Sequence, residues 1–234
     1  MSAGRGQDAL IATVTSVPAP RATADPSAEP TSSLPGDVPA AEAGSHRERL
    51  IAAMAASIVE KGYRDTTVAD VVRLARTSRR SFYEHFEDRD ACFLALFDAT
   101  NDAMMKEIAA AVHPDQTLDK QVDSAMDAYI DNVAKQPALY ASFVRELPGL
   151  GQAGAERGLA TLERFAAMLV GLVDSSRAIQ PGIGARPLTT DTAIIIVGGL
   201  RELAVISLQR GRDVRELRAS AGAAVKAILS GTLL

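Results

Sequence analysis

The sequence has one cysteine, Cys92, among its 234 residues. That excludes a disulfide within the chain, and a lone thiol fits a reducing compartment. Histidine is nearly as scarce. His46, His85 and His113 are scattered, and no Cys/His metal spacing or Ser/His/Asp arrangement can be built from them. No glycine-rich loop follows a strand pattern, so nothing here cradles a nucleotide. The expectation is therefore a protein that is no enzyme and carries no cofactor or metal. No apolar run approaches the roughly 18–20 residues of a membrane span. The opening stretch lacks a basic flank followed by a long apolar block, so no signal peptide is read. The expected location is the cytoplasm.

An excess of charge is missing too. The net charge of −4 gives the whole molecule no electrostatic case for nucleic acid or membrane. The distribution says more. Residues 1–45 hold two arginines against five carboxylates, whereas residues 47–80 hold eight Lys/Arg against four Asp/Glu. A local basic patch on an acidic chain is what a specific anion-facing surface looks like. Residues 1–45 also carry six of the eleven prolines, among Ala, Ser, Thr and Gly. Such a stretch buries too little apolar surface to offset its ordering entropy, so a disordered tail is expected.

From His46 onward the periodicity is helical, no strand alternation competes, and the expected class is all-α. Leu50, Met54 and Ile58 form one stripe, with Gly62 as the C-cap. "TTVADVVRLAR" follows, with Thr67 and Asp70 spaced as a capping box. A third, short helix has Ser78 at its N-cap. A fourth starts near Asp88–Asp90 and runs to about Val112. Further helices are expected at about 118–134, 138–147, 152–174, 190–210 and 213–230, separated by Pro137, "PGLG", "QPGIGARP" and Gly211.

Aromatics are only 4% of the chain, yet "TSRRSFYEHF", from Thr77 to Phe86, holds two phenylalanines, a tyrosine, a histidine and two arginines. Two short helices joined by a tight turn, the second opening on cations, is the helix-turn-helix pattern. Phe82 and Phe86, four apart, face inward. Arg79, Arg80, Tyr83 and Glu84 then face outward, with His85 on the flank. Arginines at the start of such a helix suit the major groove, where a guanidinium pairs bidentately with guanine. Free amides at the same end favour phosphate. Taken singly, the arginines could be a solvated face and His85 a packed histidine; the joint arrangement favours DNA.

Residues 47–97 resemble the N-terminal domain of tetracycline-repressor (TetR) type regulators. The likeness rests on an amphipathic first helix ending in "KGY", then "TTVADVV", "SRRSFYEHF" and "EDRDACFLALFD". The resemblance implies that the third helix reads the major groove, and that Thr67, Ser78, Ser81 and Tyr83 contact phosphate. Arg89 stands where the family often has a phosphate-touching lysine. The turn departs from the pattern, with Arg76-Thr77 in place of Gly-Val. Arginine tolerates the left-handed conformation less well than glycine, by about 1 kcal/mol; a phosphate contact by Arg76 would offset that. Domains are expected at 46–92 for DNA binding and 93–234 for a helical region.

In that region the resemblance implies a small-molecule pocket and a dimer through the last two long helices. "AIIIVGGL", residues 193–200, has no polar side chain and should be buried on all sides. Gly198 and Gly199 inside a helix suit close approach of a partner helix. The expected interface is Ile194, Ile195, Val197, Gly198, Arg201 and Val205. The candidate pocket is Met104, Met105, Ile108, Tyr129, Val133, Tyr140, Phe143, Phe165 and Met168, a set suited to an apolar, irregular ligand. Asp119, Asp123, Asp127 and Asp131 recur every four residues. Their repulsion needs an offset, with Asp131 free to pair with Lys135. They are expected to form a solvated face. Cys92 is expected as an inert packed thiol.

The expected function is a homodimeric transcriptional repressor released from its double-stranded DNA operator by a small apolar molecule. An architectural or cell-cycle DNA-binding protein of the same fold, without an inducer, is the alternative. An all-α interaction protein with incidental arginines is another.

Overall fold

The computed structural model describes residues 45–231. The tail expected over 1–45 lies outside them, save for Ser45. Nine α-helices are present among the described residues: α1 (His46–Lys61), α2 (Val68–Leu74), α3 (Arg79–His85), α4 (Arg89–Ala111), α5 (Leu118–Lys135), α6 (Pro137–Glu146), α7 (Gly151–Ile179), α8 (Thr190–Gln209) and α9 (Arg218–Ser230). Short 3₁₀ turns precede α7 (Leu147–Leu150) and α9 (Val214–Leu217). The class is all-α.

Local chemistry sets the first helices. Ser45 and Glu48 form a capping box that starts α1, and Thr67 and Asp70 form the one that starts α2. Lys61 at the end of α1 reaches Asp70 at 2.6 Å, tying the two helices together. That ammonium and the Thr67 hydrogen bonds hold the Asp70 carboxyl well below the usual carboxylate range. Ser57 and Thr66 share a buried hydrogen bond of 2.9 Å beneath the same turn.

Two apolar cores follow each other along α4. The first gathers Leu50, Ile51, Met54 and Ile58 of α1, Val71 of α2 and Phe82 of α3, with Cys92, Phe93, Leu96 and Phe97 of α4. It also takes Leu139 and Phe143 from α6. This core therefore continues past residue 92, where the sequence patterning placed a domain boundary. The second core begins at Met104 and Ile108 of α4 and adds α5, α7, α8 and α9. One helix thus belongs to both. Cys92 is buried in the first core, and burial pushes its thiol up to about 12.

Several helix ends differ from the periodic reading. α7 runs to Ile179 rather than stopping near 174. Its apolar stripe ends there, but Ser176 continues the contact by donating to Gln121 at 2.6 Å. Gln180 then closes it with hydrogen bonds to the Pro114 and Gln116 carbonyls. The last helix starts at Arg218, not 213, because Asp213 caps a 3₁₀ turn first. The aspartate row of α5 is likewise not simply solvated. Lys226 of α9 pairs with Asp123 at 2.7 Å, and Arg218 bridges Asp127 and Asp131 at 3.1 and 2.9 Å. Lys135 pairs with Glu107 at 3.1 Å instead of with Asp131. The cations that offset the row come from a helix 87 or more residues on, beyond the reach of local spacing.

Candidate nucleic-acid interface and interior cavities

The α2–α3 turn is closed by two hydrogen bonds, Thr77 N–H to the Val72 carbonyl at 2.9 Å and Arg76 N–H to the Arg73 carbonyl at 3.2 Å. This is the Schellman arrangement that usually ends on glycine. Arg76 fills the left-handed position here, at φ 50°, as the sequence departure implied. The turn hands the chain to Ser78, whose hydroxyl accepts from the Ser81 amide at 3.1 Å and starts α3.

α3 is held from below by Phe82 and Phe86, both buried, with ring centroids 5.7 Å apart. Arg47 of α1 lies 5.4 Å over the Phe86 ring. Arg79, Arg80, Tyr83, Glu84 and His85 are left exposed, Tyr83 at 58%. Arg80 pairs with Glu84 at 3.1 Å, but this is an exposed i,i+4 pair. Such a pair contributes about 0.3–0.5 kcal/mol and yields readily to a better anion. Arg76 is exposed beside them and Thr77 half-buried.

Three of the sequence-derived residues sit differently. Ser81 is buried at 8%, with its hydroxyl 3.4 Å from His46 Nδ1, so it faces the domain interior rather than open solvent. Its position, one residue before Phe82, puts it against α1. Arg89 is not a free cation at the head of α4. Its guanidinium lies 4.3 Å over the Tyr63 ring and donates to the Tyr63, Arg64 and Thr66 carbonyls. Arg89 therefore clamps the α1–α2 loop to α4. The Tyr63 hydroxyl donates to Asp90, and burial with that carboxylate raises the phenol above its ordinary range. Thr67 is exposed, its hydroxyl engaged with Asp70 at 2.6 Å.

The helical region holds, among others, two partly open cavities of about 110 Å³ each. The first lies among α4, α5, α7, α8 and α9, and is lined by Ile108, Met126, Met168 and Leu172 among others. The second lies between α4, α6 and α7, and is lined by Phe97, Met104, Tyr140, Phe143 and Thr161. Tyr129, Phe165 and Val197 line both. Seven of the nine candidate pocket residues thus face one cavity or the other. Met105 and Val133 face neither; Val133 is fully buried in the second core. Both are large side chains on the helices that line the cavities, and size alone does not show which side of a helix is hollow. Tyr129 and Tyr140 bring their hydroxyls to 3.3 Å at the junction, and burial raises both phenols.

α8 is not buried on all sides within one chain. Ile195 is 67% exposed and Leu203 is 41% exposed, and with Gly199 they recur every four residues along one face. Leu159 and Ile179 of the adjoining α7 are also exposed. A Cβ added at Gly198 or Gly199 would meet no atom of this chain within 4 Å. Among the residues expected at an interface, Ile194 and Gly198 are half-buried. Val205 is buried inside the chain, and Val197 and Arg201 line the cavities. Val205, 7% exposed, is covered by the chain's own helices, which removes it from any outward face.

Residues 50–96 match the family model for bacterial regulatory proteins of the tetR family. These residues, about a fifth of the chain, carry the likeness to that family. The matched segment covers α1 to the first turns of α4, the part that presents the exposed cations of α3. Members of the family are DNA-binding regulators rather than enzymes. No curated protein matches the chain by sequence. Solved structures share the tetR-family fold over most of its length. The fatty acid degradation regulator FadR from Bacillus halodurans superposes with a TM-score of 0.67 at 16% identity, covering 78% of this chain and 95% of that one. FadR from Bacillus subtilis, solved in complex with stearoyl-CoA, gives 0.64 at 17%, covering 78% and 97%. A TetR-family transcriptional regulator from Pectobacterium atrosepticum gives 0.59 at 24%, covering 80% and 94%. At these identities the likeness is one of fold. Among the described residues no helix is long and apolar enough to cross a membrane.

Proposed function

We propose that this tetR-family regulator is a homodimeric repressor that binds its operator through α3 and releases it when a small molecule fills the interior cavities. The observation that carries the reading is structural continuity: Phe97 and Phe143 belong to the core that seats α3 and also wall the second cavity. A ligand in that cavity presses on the same two rings that position the DNA-binding domain. Displacing them shifts α4, on which the recognition surface rests. Such a ligand acts only to the extent that it binds the displaced conformation more tightly.

On the DNA side, Arg79 and Arg80 are placed for base edges, and Arg76, Thr77, Ser78 and Tyr83 for the backbone. Thr67 flanks them across the turn, and His85 borders the face. Ser81 and Arg89 serve by holding the helices in place. The exposed apolar face of α8 supports the dimer: Ile195 and Leu203 lie open on it, and the bare flank at Gly199 admits a partner backbone. Two recognition helices then address half-sites about one DNA turn apart.

The B. subtilis FadR structure shows that this fold can hold a long-chain acyl ligand, and the mainly apolar walls here suit a ligand of the same general character. A reporter driven by the gene's own upstream region tests the reading in cells. Expression of the native chain should lower reporter output, and Arg80→Ala should restore it at equal protein level. A reporter indifferent to both would overturn repression through α3.

A further inference from the structure

The second cavity contains polar groups that an apolar ligand would leave unused. Thr161 is 5% exposed, lines this cavity, and its hydroxyl has no hydrogen-bond partner. A buried hydroxyl without a partner costs about 1–3 kcal/mol, which a bound acceptor would recover. Arg201 of α8, an exposed residue, borders the same cavity at its rim. Its neighbours on α7 are committed elsewhere: Arg157 pairs with Asp98, and Arg164 with Asp102. Arg201 has no carboxylate partner among the described residues. Its guanidinium is near enough to the buried Tyr129 and Tyr140 phenols to favour their ionised forms against the effect of burial. The first cavity offers no comparable group, since its Ser176 hydroxyl is already donated to Gln121 and its other walls are almost wholly apolar.

We infer that the two cavities are the two arms of one site for an amphipathic monoanion, with an apolar body in the first and a carboxylate in the second. Arg201 supplies the charge, the Thr161 hydroxyl donates, and the Tyr129–Tyr140 pair completes the donor set at the bend. Tyr129, Phe165 and Val197 line both cavities, so the arms adjoin, and one elongated molecule spans them once these side chains turn aside. This inference rests on the reading of the cavities as the effector site and deepens it, because it names what the site selects. It also gives the switch a direction: the carboxylate draws Arg201 and Tyr140 together next to Phe143, on the side of the cavity that borders the DNA-binding core.

Isothermal titration of the full chain with decanoate, decanol and decyltrimethylammonium, each below its aggregation concentration, tests this. Decanoate should bind about tenfold or more tightly than decanol, and the ammonium compound should bind more weakly than either. Arg201→Gln should remove the preference for decanoate and leave decanol unchanged. Thr161→Val, which keeps the shape, should weaken decanoate alone. Equal affinity for decanoate and decanol, or a preference that survives Arg201→Gln, overturns the head-group assignment but not the cavity as an effector site. Failure of all three probes to bind overturns both. Arg201-dependent binding of decanoate that leaves operator affinity unchanged upholds this inference and overturns the effector reading instead.

Discussion

Arg76 offers a prediction in which stability and DNA binding move in opposite directions. It holds the left-handed position of the α2–α3 turn, φ 50°, where a second Schellman turn, after α8, has Gly211 at φ 65°. A non-glycine residue costs about 1–2 kcal/mol there. Arg76→Gly removes that cost but gives the unfolded chain back about 0.4–1 kcal/mol of conformational freedom. A net gain of about 0.5–1 kcal/mol follows. For a chain of this size that raises Tm by about 1–4 °C. If Arg76 also touches a phosphate, the same substitution lowers the slope of log K against log salt by about 0.9. Arg76→Ala is the control, since it removes the cation and keeps the strain. Thermal unfolding and fluorescence anisotropy across a salt series should show Gly more stable than Ala, with equal DNA slopes for the two. A Tm for Arg76→Gly at or below native would refute the claim of strain at this turn. An unchanged salt slope in both variants would remove Arg76 from the contact surface.

Other perturbations test separate parts of the account. Gly154→Ala should destabilise, because its Cβ would run into the Leu147 carbonyl, whereas most helical glycines gain about 1 kcal/mol on the same change; denaturant melts of the two-residue comparison with Gly171→Ala, which meets nothing within 4 Å, decide it. Ile195→Lys should halve the mass seen by light scattering while leaving helicity intact, and an unchanged mass would move the interface away from α8. Acid should weaken the DNA-binding domain through Asp70. Its carboxyl is held below its usual value by Lys61 and Thr67, so its stabilisation is complete above about pH 3.9 and is lost as pH falls toward the depressed folded value. Lys61→Met should remove much of that acid dependence. At high pH the sign reverses for Cys92: burial raises its thiol to about 12 from an ordinary 9.0, so stability falls as pH climbs between the two, and native Cys92 should react with a thiol reagent only as fast as the domain opens.

What was legible in the sequence was whatever short spacing controls. The Thr67–Asp70 box, the Ser78 cap and the inward Phe82 and Phe86 all follow from residues within four positions of one another, and so did the outward set of Arg79, Arg80 and Tyr83. The strain at Arg76 could be read because glycine is the usual occupant of such a turn. The Ser45–Glu48 box carries the same signature. What could not be read depends on packing between distant segments. Nothing near Arg89 in sequence reveals that its guanidinium is spent on three carbonyls about 25 positions earlier. The α5 aspartates find their cations on α9, and Arg201, an exposed residue, also borders a cavity. Periodicity identifies a buried stripe, but it does not tell a packed position such as Val133 from a hollow one such as Met168.

The central claim is that the exposed face of α3 reads a DNA sequence, and anisotropy with labelled duplexes from the upstream region tests it most directly. The account predicts tight binding to one duplex over shuffled controls, falling steeply with salt. Tyr83→Phe should weaken all duplexes alike, and Arg80→Ala should erase the preference among them at a cost of about 1–3 kcal/mol. Binding that is absent at low salt, or a preference untouched by Arg80→Ala, would contradict it.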